Sequence, residues 1–396
     1  MSNLKIFSEN IKINSKRVIV RLDLNVPISK SSIEDSTRIE IIEPFIKQLI
    51  EKKAKIILIS HLGRPKGKVV KELSLNPIFD YLQKSLNTKV YFYKDNIDQK
   101  AIDASNNLKQ GEVLLIENIR FFKEEEDDNE NFAKNLSKLG DFYINEAFSC
   151  SHRRQASLHK ITNYIDSYGG PLLDKETQSI NLIIKNKKKP VTSIIGGSKV
   201  STKINVLLNL SKNTNNLIIV GAMANNFLKF NGYNVGASLL EKGTEDIIKS
   251  IYSSSEKNNC NIIIPIDCIV SNNLNGLPKP KSLNEIKSED IILDIGEKTI
   301  ELINKTVELS KTVLWNGPAG YFENKNFSKG TLSIAKKISS DTDTKSLISI
   351  VGGGDTIAAL KNVEFRKVFT HLSTAGGAFL ESIEGKELPG IKVLKK

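Results

Sequence analysis

VTSIIGGSKVSTKINVLLNL, residues 191–210, sets a strand, a turn and a helix side by side. The first five residues are mostly β-branched, as a strand buried on both faces of a parallel sheet requires. Gly196-Gly197 breaks that run, and from Val200 the apolar residues recur at helical spacing through Ile204, Leu207 and Leu208. A glycine pair between a strand end and a helix start lets backbone amides come close to an anion. The same plan recurs along the chain. Strands are expected over 17–22, 55–60, 112–116, 141–144, 191–195, 216–220, 261–266, 312–315, 347–351 and 368–372. Helices such as 38–51, 77–86, 132–139, 201–210 and 222–230 fall between them. This alternation predicts an α/β protein built on parallel sheets wrapped by helices.

The chain has 396 residues, too many for one ordinary core, and two domains are expected. A composition change near Gly169-Gly170-Pro171 and a polar stretch ending at Pro190 bracket an interdomain helix. The opening MSNLKIFSENIK lacks a signal-type apolar run, and nowhere does an uncharged apolar stretch of membrane length occur. Three cysteines form neither a CxxC pair nor an even set, so reduced thiols in a cytosolic, soluble protein are expected. A net charge of +12 suits anionic ligands. The lysines are scattered, however, and the clusters at 187–189 and 395–396 are short, which argues against specific nucleic-acid binding. The acidic run 124–128 reads as a solvated face or a helix entry, with no chemistry assigned to it.

Cations and glycines separate along the chain. Seven of the eight arginines precede residue 155, against 49 lysines overall, while 18 of 24 glycines follow residue 190. Arginine supplies a planar, permanently charged fork for carboxylate or phosphate that lysine cannot replace. In open parallel sheets ligands bind beyond the carboxyl ends of the strands. There the first half places Asp23 and Asn25, His61 and Arg64, Arg120, and His152 with Arg153. Thr37 to Glu40 reads as a capping box that sets Arg38 on the first helical turn, making it the first choice for a catalytic cation. Arg17, Arg154, Arg366, His159 and His371 read as structural.

The second half has no GxxxxGK[ST] and no GxGxxG. Its strand ends still carry Gly196-Gly197, Gly352 to Thr356 and Ser373 to Gly377, with Lys199 and Lys203 four apart and expected on one side of a helix start. Asp355 can cap a helix or hold a magnesium-bound water. Glu323, in WNGPAGYFE, can accept from a ribose hydroxyl, whereas Trp315 reads as core. Without an apolar cofactor box, this half reads as a polyphosphate cradle. Taken alone, these residues leave open a two-domain anion-binding protein without catalysis, or a phosphotransferase acting on another small carboxylate.

The stretches RLDLNVP, SHLGRPKG, LIENIRF, NEAFSCSHRRQAS, GGSKVSTKI, GAMANNFLK, WNGPAGYFE, GGGDTIAAL and HLSTAGGAFLESIEGKELPG occur in the order found in phosphoglycerate kinases, which the chain resembles nearly end to end. The resemblance implies two doubly wound, Rossmann-like parallel-sheet domains joined by a hinge helix. Residues 1–168 with 375–396 would bind 3-phosphoglycerate, 169–187 would form the hinge and linker, and 188–374 would bind nucleotide. It implies reversible transfer of a phosphoryl group between 1,3-bisphosphoglycerate and ADP or ATP with Mg2+, by a cytoplasmic monomer. By match, Asp23, Asn25, Arg38, His61, Arg64, Arg120 and Arg153 would bind the glycerate. Lys203, Glu323, Gly353, Gly354, Asp355 and Thr356 would bind nucleotide, and Arg38, Lys199, Gly376 and Gly377 would surround the transferring group as the domains close. No general base is expected, because the attacking oxygen is already ionised at neutral pH.

Two departures from the family's usual pattern stand out. NEAFSCSHR replaces NDAFGTAHR, which puts Cys150 where threonine is usual. STAGGA replaces STGGGA, and if that turn needs a positive φ at its first glycine, Ala375 is strained by about 1 kcal/mol or more. Leu24 in place of phenylalanine is expected to be tolerated.

Overall fold

The computed structural model describes residues 4–29, 32–184, 187–361, 363 and 368–395. Arg366 and Lys396 lie outside them. The chain divides into two units, Met1–Thr177 with Glu387–Lys396, and Gln178–Lys386.

The first unit is built on six parallel strands in the spatial order Val90–Tyr93, Val113–Ile116, Lys55–Ile59, Arg17–Arg21, Phe142–Asn145, Asp166–Gly169. Period-two alternation explains why these segments are strands. Val18, Val20, Ile56, Leu58, Val113, Leu115 and Ile144 enter one apolar cluster. Ile19, Ile57, Ile59, Leu114, Ile116 and Tyr143 enter another. Successive side chains point to opposite faces, so the sheet is apolar on both sides and must be covered twice. Each such residue contributes roughly 1.5–3 kcal/mol by its burial.

The second unit repeats the plan with six parallel strands, Asn261–Ile263, Asn216–Ile219, Val191–Ile195, Thr312–Asn316, Ile348–Gly352 and His371–Ser373. Numbered along the chain, that order is 3-2-1-4-5-6, the doubly wound arrangement of dinucleotide-binding sheets. Trp315 is fully buried in this unit's core, as its sequence context suggests, and its indole N–H donates to Gly317 O at 2.8 Å.

Some expectations need correction. Residues 375–386 belong to the second unit, not the first, because helix Gly377–Ile383 packs on helix Ile204–Asn213 and Asn209 Nδ2 donates to Ile383 O at 2.5 Å. The first unit takes back the segment from Glu387, through Lys5 N to Leu394 O (2.8 Å) and Gly390 N to Ser151 O (2.9 Å). A helix runs Pro171–Ile184, and the boundary between the units falls inside it. The strand expected to reach 266 ends at Ile263, two residues before Pro265, which cannot donate to a ladder. An antiparallel sheet of Lys279–Ser282, Asp267–Ser271 and Ile291–Ile295 follows, which periodicity did not reveal.

Candidate active site

Both parallel sheets reverse their winding direction beside their first strand, and the polar residues gather there. In the first unit the chain runs from Arg17–Arg21 to Lys55–Ile59 on one side and later to Phe142–Asn145 on the other. The residues just past these three strands therefore converge. Asp23 pairs with Arg38, accepts from the Ser149 hydroxyl, and accepts from Asn25 N at 3.1 Å. Burial raises the Asp23 carboxyl, but Arg38, His61 and Ser149 outweigh it and leave the group below the usual carboxylate range. Asn25 Oδ1 accepts from Gly63 N at 2.9 Å, and Arg120 donates to Gly63 O at 2.8 Å. One loop is thus held from both sides.

His61 is 4% exposed. Burial and the positive charge of Arg21, then of Arg120 and Arg153, hold its pKa well below the usual histidine value despite Asp23 nearby. At neutral pH the ring is uncharged. Arg120, in the 3₁₀ turn Ile119–Phe121, is itself buried and pushed down to about 10 by desolvation and neighbouring arginines. Arg153 Nε lies 3.3 Å from His152 Nε2, and Arg64 is exposed. Arginines gathered this closely repel one another, an arrangement suited to an anion.

Sequence reasoning missed two supports of this site. Arg21 is fully buried, its Nε 2.9 Å from Ser157 Oγ, and its Nη2 meets no acceptor among the described residues. Glu125 is also fully buried and accepts from Ser157 N and Oγ at 2.8 and 2.6 Å. The acidic run is therefore a helix entry, the helix being Lys123–Glu126, with Glu125 buried rather than solvated. The only signal was an arginine closing an apolar strand. The capping box at 37–40 is corrected as well. The N-cap is Ser36, which bonds Glu40 through its side chain, and Asp35 accepts from Thr37 N at 2.9 Å. Arg38 nevertheless lies in the first turn.

In the second unit the reversal lies between Val191–Ile195 and Thr312–Asn316. Their ends approach so closely that a Cβ on Gly317, whose φ is +100°, would come within 2.3 Å of Gly196 O. Only glycine fits there. Lys203 Nζ donates to Gly196 O at 2.5 Å and to Asn316 Oδ1 at 2.8 Å. Burial pushes this lysine down to about 8, with Asp355 opposing. Thr356 is buried, and its hydroxyl accepts from Gly317 N at 2.7 Å and donates to Gly352 O at 3.0 Å, so only its backbone can serve a ligand. Lys199 is exposed and precedes the helix, which starts at Ile204 after a 3₁₀ turn. The expected helical stacking of Lys199 on Lys203 is therefore absent, because Gly196–Val200 is loop.

A cavity of about 310 Å³ adjoins these loops, with Gly197, Gly221, Glu323 and Asp355 in its lining. Leu228, Leu239, Leu293 and Ala319 also line it. The expectation of no apolar box is thus wrong for the fold: residues far apart in sequence supply a surface on which a base can lie. A larger depression of about 510 Å³ beside Asn261–Ile263 has, among the described residues, Lys305 as its one charged lining residue and no glycine in its lining. Asp294, another lining residue, is committed to Ile295 N and Gly330 N at 2.9 and 2.8 Å. Asp355 and Glu323, both exposed, remain as outward carboxylates in the lining. One such carboxylate suits Mg2+ carried in by polyphosphate and water rather than caged by protein.

The turn Ser373–Gly377 answers the question raised by Ala375. The left-handed residue is Gly376, with φ +55°, and Ala375 is absent from the residues with positive φ. Ala375 is therefore unstrained.

The comparisons agree with this geometry. The family model described as phosphoglycerate kinase matches residues 8–386. A phosphoglycerate kinase of Wolbachia pipientis wMel is 43% identical over 390 residues, 98% of each chain, and one of Bartonella bacilliformis is 44% identical over 384 residues, 96% of each. The structure of phosphoglycerate kinase from Coxiella burnetii superposes with a TM-score of 0.91 at 38% identity, and that from Pyrococcus horikoshii OT3 with 0.83 at 27%, each covering 98% of both chains. Two winding reversals, one ringed by arginine and one framed by glycine, and near full-length similarity lead to one conclusion: the chain belongs to the phosphoglycerate kinase family, phosphotransferases that act on a carboxyl group.

Proposed function

We propose that the chain transfers a phosphoryl group reversibly between 1,3-bisphosphoglycerate and MgADP, giving 3-phosphoglycerate and MgATP. The observation that carries this reading is the pairing of two unlike sites at equivalent places in two similar sheets. Around His61 the first unit offers Arg38, Arg64, Arg120 and Arg153 to the phosphate and carboxylate of a glycerate, and Asp23 and Asn25 to its hydroxyl. The second unit offers Glu323 to a ribose, and Lys203 with the amides of Gly353 to Thr356 to polyphosphate. Asp355 would hold Mg2+ through water, and the ion would supply charge neutralisation at the nucleotide phosphates.

The attacking group is an ADP phosphate oxygen or, in reverse, a carboxylate with a pKa near ~3.5–4. Neither needs a base. The rate then rests on alignment and on neutralising the charge spread over the moving phosphoryl. Arg38 would supply this from one unit, and Lys199 with the amides of Gly376 and Gly377 from the other. Transfer therefore requires the units to close on each other about the 169–187 segment, excluding water from the acyl phosphate. Three free, buried cysteines suit a reducing cytoplasm, and the reaction uses residues of one chain, as a monomer can.

The test is turnover with 3-phosphoglycerate and MgATP, the acyl phosphate being coupled to NADH oxidation by glyceraldehyde-3-phosphate dehydrogenase. Arg38→Ala should lower kcat by on the order of 100-fold or more while changing the nucleotide KM less than about threefold. An equal loss in both parameters would remove Arg38 from the transferring group.

A further inference from the structure

Asp23, His61 and Cys150 come from three segments that the strand order brings together. A carboxylate oxygen, a ring nitrogen and Sγ, one from each, all lie within 4.8 Å of one another. Sγ is 3.9 Å from His61 Nδ1 and 4.0 Å from Nε2, too long for a good hydrogen bond between the two. Both side chains are nonetheless buried. Tetrahedral zinc, with its usual bonds to sulfur and nitrogen, sets those two atoms about 3.6 Å apart. The sulfur is almost equidistant from the two ring nitrogens, so the imidazole must turn as well as approach for one nitrogen lone pair and Sγ to face a shared ion.

We infer that Asp23, His61 and Cys150 form a site for a thiophilic divalent cation of the zinc class, and that this cation and the glycerate exclude each other. Sulfur, nitrogen and oxygen donors select zinc-class ions over magnesium or calcium, which prefer oxygen alone. Three protein ligands leave a fourth position for water. To ligate, the imidazole must be neutral and the buried Cys150 thiol must give up its proton. Binding therefore breaks the S–H bond, forms a metal–thiolate bond and releases one proton to solvent, with no change of oxidation state. Carboxylate and thiolate together cancel the charge of the ion, which matters beside Arg21, Arg120 and Arg153. The cost is the Asp23 pair with Arg38, which the ion must loosen.

Metal binding needs only the geometry, whereas the exclusion rests on the glycerate reading. The probe is Co2+ added to the full-length, reduced protein, read as the thiolate-to-cobalt charge-transfer absorption. Wild type and Cys260→Ser should show the band, and Cys150→Ser and Cys150→Thr should lack it. Zn2+, titrated calorimetrically into each protein, should bind the two Cys150 variants more than about 100-fold more weakly than wild type, exceeding the loss expected for an outer-shell partner. A band that survives in a folded Cys150 variant, or none in wild type, overturns the site. Adding 3-phosphoglycerate should abolish the band. Persistence of the band while 3-phosphoglycerate binds overturns the exclusion alone. Failure of the metal-free protein to bind 3-phosphoglycerate overturns the glycerate reading and leaves the metal site standing.

Discussion

Lys203 and Asn316 form the joint of the second unit's strand-end loops: Nζ donates to Oδ1 at 2.8 Å, while Asn316 Nδ2 donates to Gly352 O at 2.8 Å. Lys203 also reaches Gly196 O. One buried amide thus ties together the ends of three adjacent strands and aims a cation among them. Asn316→Leu would leave a buried ammonium and a buried carbonyl each short of a partner. Loss of about 2–4 kcal/mol of stability is expected in denaturant titrations, with the nucleotide KM rising about tenfold and the glycerate KM changing little.

On the proposed reading, in which Lys203 meets the nucleotide's phosphates, nucleotide affinity depends on pH. Without nucleotide Lys203 titrates at about 8, and a phosphate favours its charged form. Below that value the ammonium is present and affinity is flat. Above it each binding event must take up a proton, so calorimetric affinity should fall by up to about tenfold per pH unit. Lys203→Met should bind weakly with this pH dependence gone. An unchanged slope in the variant would place the titrating group elsewhere.

Glu146 accepts from Leu172 N at 2.9 Å and Leu173 N at 3.2 Å, securing the start of helix Pro171–Ile184. Burial outweighs these bonds and raises its pKa to about 7. The unfolded chain releases this proton near ~4.3. Between the two values the folded chain binds more protons, so stability falls as pH rises through that window and levels off above about 7. Glu146→Gln cannot ionise. The stability of wild type minus variant should therefore decline by on the order of 3 kcal/mol from about pH 4.5 to 7.5, measured by thermal or denaturant unfolding.

Ala375→Gly should leave turnover within about twofold and lower stability by about 0.5 kcal/mol, since Ala375 has no positive φ to relieve. Gly376→Ala should cost about 1–3 kcal/mol, because φ +55° with ψ −114° lies outside even the left-handed helical well. A Cβ there meets nothing within 4 Å, so the loss would come from backbone strain alone.

Much of the site was legible because its parts are local signals. Asp23, His61, Arg120 and Arg153 each sit just past a strand in a chain poor in arginine, and the structure gathers them around His61. Gly196-Gly197 and Gly352 to Asp355 mark strand ends by their backbone freedom. Arg21 and Glu125 were not legible. An arginine ending a strand and a glutamate in an acidic run look solvated until Ser157, more than thirty residues away from either, meets both. Asn316 likewise reads as one more polar strand end until Lys203 and Gly352 arrive beside it.

The sequence by itself determined the central elements, though not the strands Val90–Tyr93 and Asp166–Gly169 or the antiparallel sheet: β-branched runs that bury both faces, helical periods between them, and glycines or arginines where the strands stop. These depend on side-chain size, branching and period, which act over a few residues. The tertiary structure alone decided which strand ends became neighbours. Strand order 3-2-1-4-5-6 in the second unit put Gly196 against Gly317, and the first sheet's order put Asp23, His61 and Cys150 in one place. It also returned only the segment from Glu387 onward to the first unit. Such pairings depend on non-local packing, which no window of the sequence contains.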